Sequence, residues 1–202
     1  MSDTAQSLVF SCIVEGHGET GAVPELIRRI ASITQPNRMV QCPAPLRVKR
    51  DRFLKFQDEN DFHRYLLLAA GKLRQCDGAV FILLDSEGDC PADRAKEIRR
   101  KAVEVIGHVS VHVVLAHHMY ENWFISAAES LAGHQGLQEK LDTPENPENP
   151  SGKGWISQNM SPGRTYTEPI DQAELTRIFD LDAAMACRSF RKCRKEIESV
   201  LS

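Results

Sequence analysis

Three short segments of the chain are almost unbrokenly apolar: Leu8–Val14 (LVFSCIV), Ala79–Leu84 (AVFILL) and Val109–Ala116 (VSVHVVLA). They are rich in branched side chains and lack the alternation of a half-exposed strand, so each reads as a parallel strand covered on both faces. Between them the spacing turns helical. Thr20 caps a helix with an apolar stripe through Val23, Leu26, Ile27 and Ile30, and Pro24 lies in its first turn. Asp58 or Asp61 caps DFHRYLLLAAGKL, Pro91 and Asp93 open ADRAKEIRRKAVEVIG, and MYENWFISAAESLAG reads as a strand end followed by a helix. Met39–Cys42 suggests a short strand, followed by an irregular, basic and proline-punctuated connection to Phe56.

This alternation predicts an α/β fold, a doubly wound, mainly parallel sheet with helices on both faces. Residues 1–141 make the core. Residues 142–169 include TPENPENPSGKG, rich in proline and glycine and without an apolar period, which predicts a loop or lid. Residues 170–202 return to helical spacing and pack on the same domain.

With 202 residues, 42% hydrophobic and 26% charged, the chain has the material for one sizeable core, which excludes a disordered or fibrous protein. The formal charge of -3 marks no protein that coats nucleic acid by bulk electrostatics, so any polyanion site has to be local. No segment approaches the roughly 18 apolar residues of a membrane span, and the start has no basic stretch of a signal peptide. The expectation is a cytoplasmic protein without membrane contact. The 6 cysteines are scattered with no CxxC pair, so they are buried or incidental thiols.

The chemistry is concentrated where the apolar runs stop. In open parallel sheets ligands bind beyond the carboxyl ends of the strands. Here the first run delivers Glu15 and Glu19, the second Asp85, Glu87 and Asp89, and the third leads to Glu121. One acid per loop is explained as a helix cap, but this density is not. Crowded carboxylates repel unless a cation or protons sit among them, and hard oxygen donors suit Mg²⁺ or Mn²⁺. Gly16 and Gly18 permit turns that aim N–H groups at a phosphate, and His17 between them is a candidate phosphate or carboxylate partner. His117 and His118 point to opposite faces if the third strand persists through them. Trp123 and Phe124 read as core anchors. Of the basic residues, Lys153 in its Gly-Lys-Gly context and Arg188 in the tail are the candidates for binding substrate.

The stretches VEGHGETGAVPELIRRI, FILLDSEGDCPAD, YENWFISA and DLDAAMACRSFRK resemble domain-of-unknown-function family 4276, a standalone Toprim-like family similar to the Toprim domain of overcoming-lysogenization-defect (OLD) nucleases. That resemblance implies a Toprim-like, Rossmann-like sheet. It implies Glu15 as a proton-transfer or metal-binding group and Asp85 with Glu87 as metal ligands. Glu19 corresponds to the further acid of the OLD-like EGxxE variant, a second catalytic candidate, and Asp89 and Glu121 are candidate ligands of a second ion. Glu87 stands where the motif has aspartate, and its longer arm opens the role to Asp89.

The function expected is therefore a phosphoester hydrolase dependent on Mg²⁺ or Mn²⁺, a nuclease acting on nucleic acid. The alternative is a regulatory Toprim-like subunit of a separately encoded ATPase, with phage defence as the setting, since this chain has no GxxxxGK[ST] motif. A nucleotide-handling Rossmann protein is the third reading, and it lacks the GxGxxG loop. Homo-oligomerisation stays open.

Overall fold

A computed structural model describes residues 7–56, 61–73, 76–149 and 151–202. Asp58, one of two expected helix caps, lies outside the described residues. The elements in chain order are β1 (Leu8–Val14), α1 (Glu19–Thr34), β2 (Val40–Gln41), β3 (Leu46–Arg47), α2 (Arg50–Phe53), α3 (Asp61–Gly71), β4 (Gly78–Asp85), α4 (Pro91–Ile106) and β5 (Ser110–Ala116). They are followed by α5 (Asn122–Ser126), α6 (Ala128–Leu131), α7 (Gly152–Asn159), α8 (Glu168–Ile178), a 3₁₀ turn (Ala183–Ala186) and α9 (Arg188–Leu201).

The sheet has five strands in the order β2-β1-β4-β5, with the two-residue β3 also pairing β1, and every pair is parallel. The chain leaves β1 towards β2 on one side and returns to β4 on the other. The crevice at the carboxyl ends of β1 and β4 is therefore a topological switch point, where such sheets bind ligands.

Two apolar layers sandwich the sheet. Val9 and Ile13 of β1 pack with Phe62, Leu66 and Ile98 on the α3/α4 face. Phe10, Cys12 and Val14 pack on the other face with Leu26, Ile27 and the α8/α9 region. The β1 residues named here alternate between the layers, as the strand period demands. On that second face Trp123 and Phe124 are fully buried, as their spacing implies. Tyr120–Trp123, Trp123–Phe190 and Phe179–Phe190 ring contacts at 4.6, 5.3 and 5.7 Å fasten α5 to the C-terminal helices.

Several local expectations change. Helix α1 starts at Glu19, so Thr20 is not its cap and Pro24 falls inside it. The Thr20 hydroxyl instead donates to the His17 carbonyl at 2.6 Å, closing the loop and letting the helix begin early. The expected irregular connection holds β3 and α2, because Ile13 and Val14 still offer pairing positions beyond the reach of β2. MYENWFISAAESLAG breaks into α5 and α6 at Ala127. The segment 142–169 carries α7, whose Trp155 and Ile156 are buried; one apolar pair was too little to show a period. The six cysteines are all free. Among the described residues no helix is long and apolar enough to cross a membrane.

Candidate functional site

The parallel sheet carries three acids to one edge. Glu15 follows β1, Asp85 ends β4 and Glu121 lies beyond β5, just ahead of α5. Glu19, the first residue of α1, turns back into the loop, where its Oε2 accepts the N–H groups of Glu15 at 2.9 Å and Gly16 at 3.0 Å. Asp85 Oδ1 accepts the Tyr120 N–H at 2.9 Å. Glu121 Oε1 accepts the Tyr166 hydroxyl at 3.0 Å and the Gln172 side-chain amide at 3.3 Å.

Helix α8 closes this loop from above. A Cβ on Gly18 would stand 2.3 Å from Gln172 Oε1 and 2.5 Å from the Glu168 carbonyl, so only glycine admits the contact. The Gly18 N–H donates to Glu168 Oε1 at 3.3 Å, and Lys153 Nζ sits 2.6 Å from Glu168 Oε2. Helix α7 approaches as closely: a Cβ on Gly152 would meet the Asn122 backbone nitrogen and the Glu121 Cβ at 2.7 Å.

Burial dominates the electrostatics. Glu19 is 3% exposed and Glu121 fully buried. Burial pushes the Glu19 carboxyl up to about 7, with Glu121 and Glu15 pushing the same way against its two backbone hydrogen bonds. Asp85 is driven well above the usual carboxylate range by burial first, then by Glu19, Glu121 and Glu15. Glu15 and Glu121 are also raised, again chiefly by burial; Glu87 adds to the effect on Glu15, and Lys153 opposes it at Glu121. Glu168 differs: burial would raise it, but Lys153 and the loop N–H groups of Gly18 and His17 bring it below the ordinary value. The structure thus brings Glu15, Glu19, Asp85 and Glu121 into mutual repulsion, opposed by Lys153 at Glu121 and by Arg50 at Glu15.

The other acids of the β4–α4 loop are placed differently. Arg50 binds Glu87 at 3.2 Å and Asp89 at 2.5 Å, and both carboxylates face solvent, 61% and 44% exposed. Arg50 also donates to the Asp85 carbonyl at 3.1 Å, so it ties α2 to this loop. Glu87 and His118 adopt left-handed φ angles of 51° and 50°, rare without glycine, and the Glu87 N–H reaches the His118 carbonyl at 3.2 Å. Because β5 ends at Ala116, His117 and His118 do not alternate across a strand; their rings lie against each other at 4.2 Å. His17 is exposed, and its carbonyl serves the Thr20 hydroxyl. Arg188 is not brought to the acids: its side chain is 85% exposed and pairs with Glu148 at 3.8 Å.

Sequence reasoning passed over three residues of the site, Tyr166, Glu168 and Gln172, and met Arg50 only as one of the basic residues in the connection that precedes Phe56. Glu168-Pro169 carries a helix-start signal, an acid beside proline in a first turn, but that signal names no partner. Nothing local marks Tyr166 or Gln172, whose roles exist only because α8 packs on the first loop.

The donor set is suited to a hard divalent cation. Glu15 Oε2, Glu121 Oε2 and Gln172 Oε1 are buried acceptor oxygens with no donor among the described residues. Such orphans are costly and call for an ion, a proton or water. Among the described residues no group of three or more histidine, cysteine, aspartate or glutamate side chains is already arranged around an ion position.

No curated protein and no solved structure matches this chain. The family model described as Domain of unknown function (DUF4276) matches residues 14–198, nearly the whole length, and the chain belongs to that family.

Proposed function

We propose that the protein is a phosphoester hydrolase dependent on Mg²⁺ or Mn²⁺, a Toprim-type nuclease acting on nucleic acid. The observation that carries this reading is the set of four mutually repelling carboxylates at the switch point, two of them with a buried oxygen that no donor satisfies among the described residues. The order of these acids along the chain and their places after the neighbouring strands β1, β4 and β5 support the Toprim likeness.

Glu15, Asp85 and Glu121 would hold the ion, with Glu19 behind them. A bound divalent ion would neutralise the carboxylates, polarise a phosphoryl oxygen and lower the pKa of water. Glu19, at about 7, is poised to take or give a proton near neutral pH, which suits a general acid or base. Its two backbone hydrogen bonds fix the carboxyl between the Glu15 backbone and the cluster. Lys153, 45% exposed at its Glu168 partner, supplies the positive charge for a phosphate at the rim. Arg50 keeps Glu87 and Asp89 on the outer side, where they are candidates for a second ion.

The test is cleavage of plasmid DNA and of single-stranded RNA with Mn²⁺ or Mg²⁺, comparing the wild type with Glu15→Gln and Glu19→Gln. Metal-dependent nicking that falls at least ~100-fold in either variant supports the assignment. Absence of cleavage of both substrates, with the protein alone and with any ATPase encoded beside it, replaces this reading with that of a regulatory subunit.

A further inference from the structure

On the far side of β5 from the acid cluster's neighbouring strands lies a second feature that the hydrolase reading does not use. β5 is the last strand of the sheet and has no strand partner on its outer side among the described residues. The Ala116 carbonyl accepts the Ser86 N–H at 2.9 Å, so it faces β4. Backbone groups alternate sides along a strand, and the N–H and C=O groups of Val113 and Leu115 therefore face the open edge. That edge does not abut flat solvent. Val113 and Leu115 line a cavity of about 610 Å³ between α4, which contributes Pro91 and Ala95, and α9, which contributes Ser189.

The rims carry charge as well. Lys96 and Arg99, three apart on one face of α4, line the cavity, are exposed and have no carboxylate within 4.0 Å among the described residues. On the α9 side Lys192 is engaged by Glu196, which is held 2.5 Å from His112, so those charges are mutually satisfied. The remaining acid, Glu148, is one the chain itself delivers from the proline-rich segment. It lines the cavity, and its Oε1 accepts the Arg188 N–H at 2.8 Å at the start of α9. The groove thus already takes one carboxylate, from the turn closed by Asn146 and Asn149, while two cations on the opposite wall have no carboxylate partner among the described residues, in a chain whose overall charge is -3.

We propose that this groove binds an extended, acidic segment of a partner protein, which adds to the β5 edge as a further strand. The N–H and C=O groups of Val113 and Leu115, which have no partner among the described residues, supply the backbone bonds, and alternate carboxylates of the segment meet Lys96 and Arg99. A second copy of this chain fits less well. Twofold pairing of β5 with β5 sets the two α4 helices on the same face, with Lys96 and Arg99 of one copy facing those of the other. Nucleic acid would use the cations but not the strand edge. The proposal stands apart from the hydrolase reading, since none of the residues it uses belongs to the acid cluster.

The test is fluorescence anisotropy at low salt with a fluorescein-labelled hexapeptide of alternating glutamate and valine. A lysine–valine peptide and an acidic peptide N-methylated at every second amide are the controls. Saturable binding of the acidic peptide is expected, at least ten-fold weaker for the double variant Lys96→Glu/Arg99→Glu, whose positions are exposed, and at least ten-fold weaker for the N-methylated peptide. No binding of the acidic peptide overturns the proposal. Equal binding of the N-methylated peptide, or preferential binding of an oligothymidylate, shows a charge site without strand addition and also overturns it. So does a dimer in sedimentation that the double variant dissociates.

Discussion

The position of Glu19 makes stability fall as pH rises through neutrality. Its carboxyl lies at about 7 in the folded chain against an ordinary 4.5, so between those values the folded state holds a proton that the unfolded state has released. An acid raised by folding contributes its stabilisation in full below the unfolded pKa and loses it as pH climbs through the folded one. From those two values the penalty is about 1 kcal/mol at pH 5 and about 3 kcal/mol at pH 8, so about 2–3 kcal/mol develops across the interval. For a domain of this size, that is roughly 5–10 °C in melting temperature.

Glu19→Gln isolates the effect. Glutamine keeps an oxygen to accept the Glu15 and Gly16 N–H groups, and its NH₂ can donate towards the neighbouring carboxylates, while the titration disappears. Urea denaturation of both proteins at pH 5 and pH 8 gives the quantity needed. The variant should gain about 2–3 kcal/mol relative to wild type on going from pH 5 to pH 8. Because Asp85 is raised partly by Glu19, the variant also eases ionisation there, and the gain belongs to the cluster as a unit. A difference between the proteins that is flat in pH, or that shrinks at pH 8, refutes the picture of a buried, proton-retaining Glu19.

Three further outcomes follow from the same geometry. Mn²⁺ at about 100 times its dissociation constant should stabilise the wild type by about 2.7 kcal/mol, while Asp85→Asn should be more stable without metal and indifferent to it; an undiminished Mn²⁺ response in the variant removes Asp85 from the ligand set. Gly152→Ala should cost about 1–3 kcal/mol in urea denaturation, because its methyl would enter the Glu121–Asn122 backbone, and a neutral result contradicts that close approach. Arg50→Lys should not rescue the loss of about 1–3 kcal/mol expected of Arg50→Ala, since a guanidinium spans the Asp85 carbonyl, Glu87 and Asp89 together; equal stability of the lysine variant and the wild type would show that one point charge suffices.

What was legible in the sequence depended on whether one element carried the signal. Leu8–Val14, Ala79–Leu84 and Val109–Ala116 declare themselves because a strand buried on both faces must be apolar at nearly every position. The acids after them were legible for the same reason, since a parallel sheet sends every such residue to one edge. β3 and α2 were not, being two and four residues long and made by pairing and packing that leave no period. The sequence also put Glu87 and Asp89 on a par with Asp85. Only the fold separates them, because Arg50, 35 residues upstream, reaches across to hold two of the three on the outside.

The segment 142–169, with helix α8 that it leads into, shows how the fold holds four buried carboxylates at all. Repulsion among Glu15, Glu19, Asp85 and Glu121 tends to open the switch point to water, and a mobile cover would let it do so. Instead α7 and α8 press on the loop at two glycines, Gly152 against Glu121 and Gly18 against Gln172, positions where any side chain would hold the surfaces apart. Lys153 is delivered by the first of these contacts and Glu168 by the second, and their 2.6 Å pair joins the helices directly over the cluster. The same contacts place Tyr166 and Gln172 as donors to one oxygen of Glu121, while its other oxygen has no donor among the described residues. A segment serving only as a lid would gain nothing from donors aimed at a buried acid. Its packing sets which carboxylate oxygens are satisfied and which remain for a ligand, so this region is part of the site's wall.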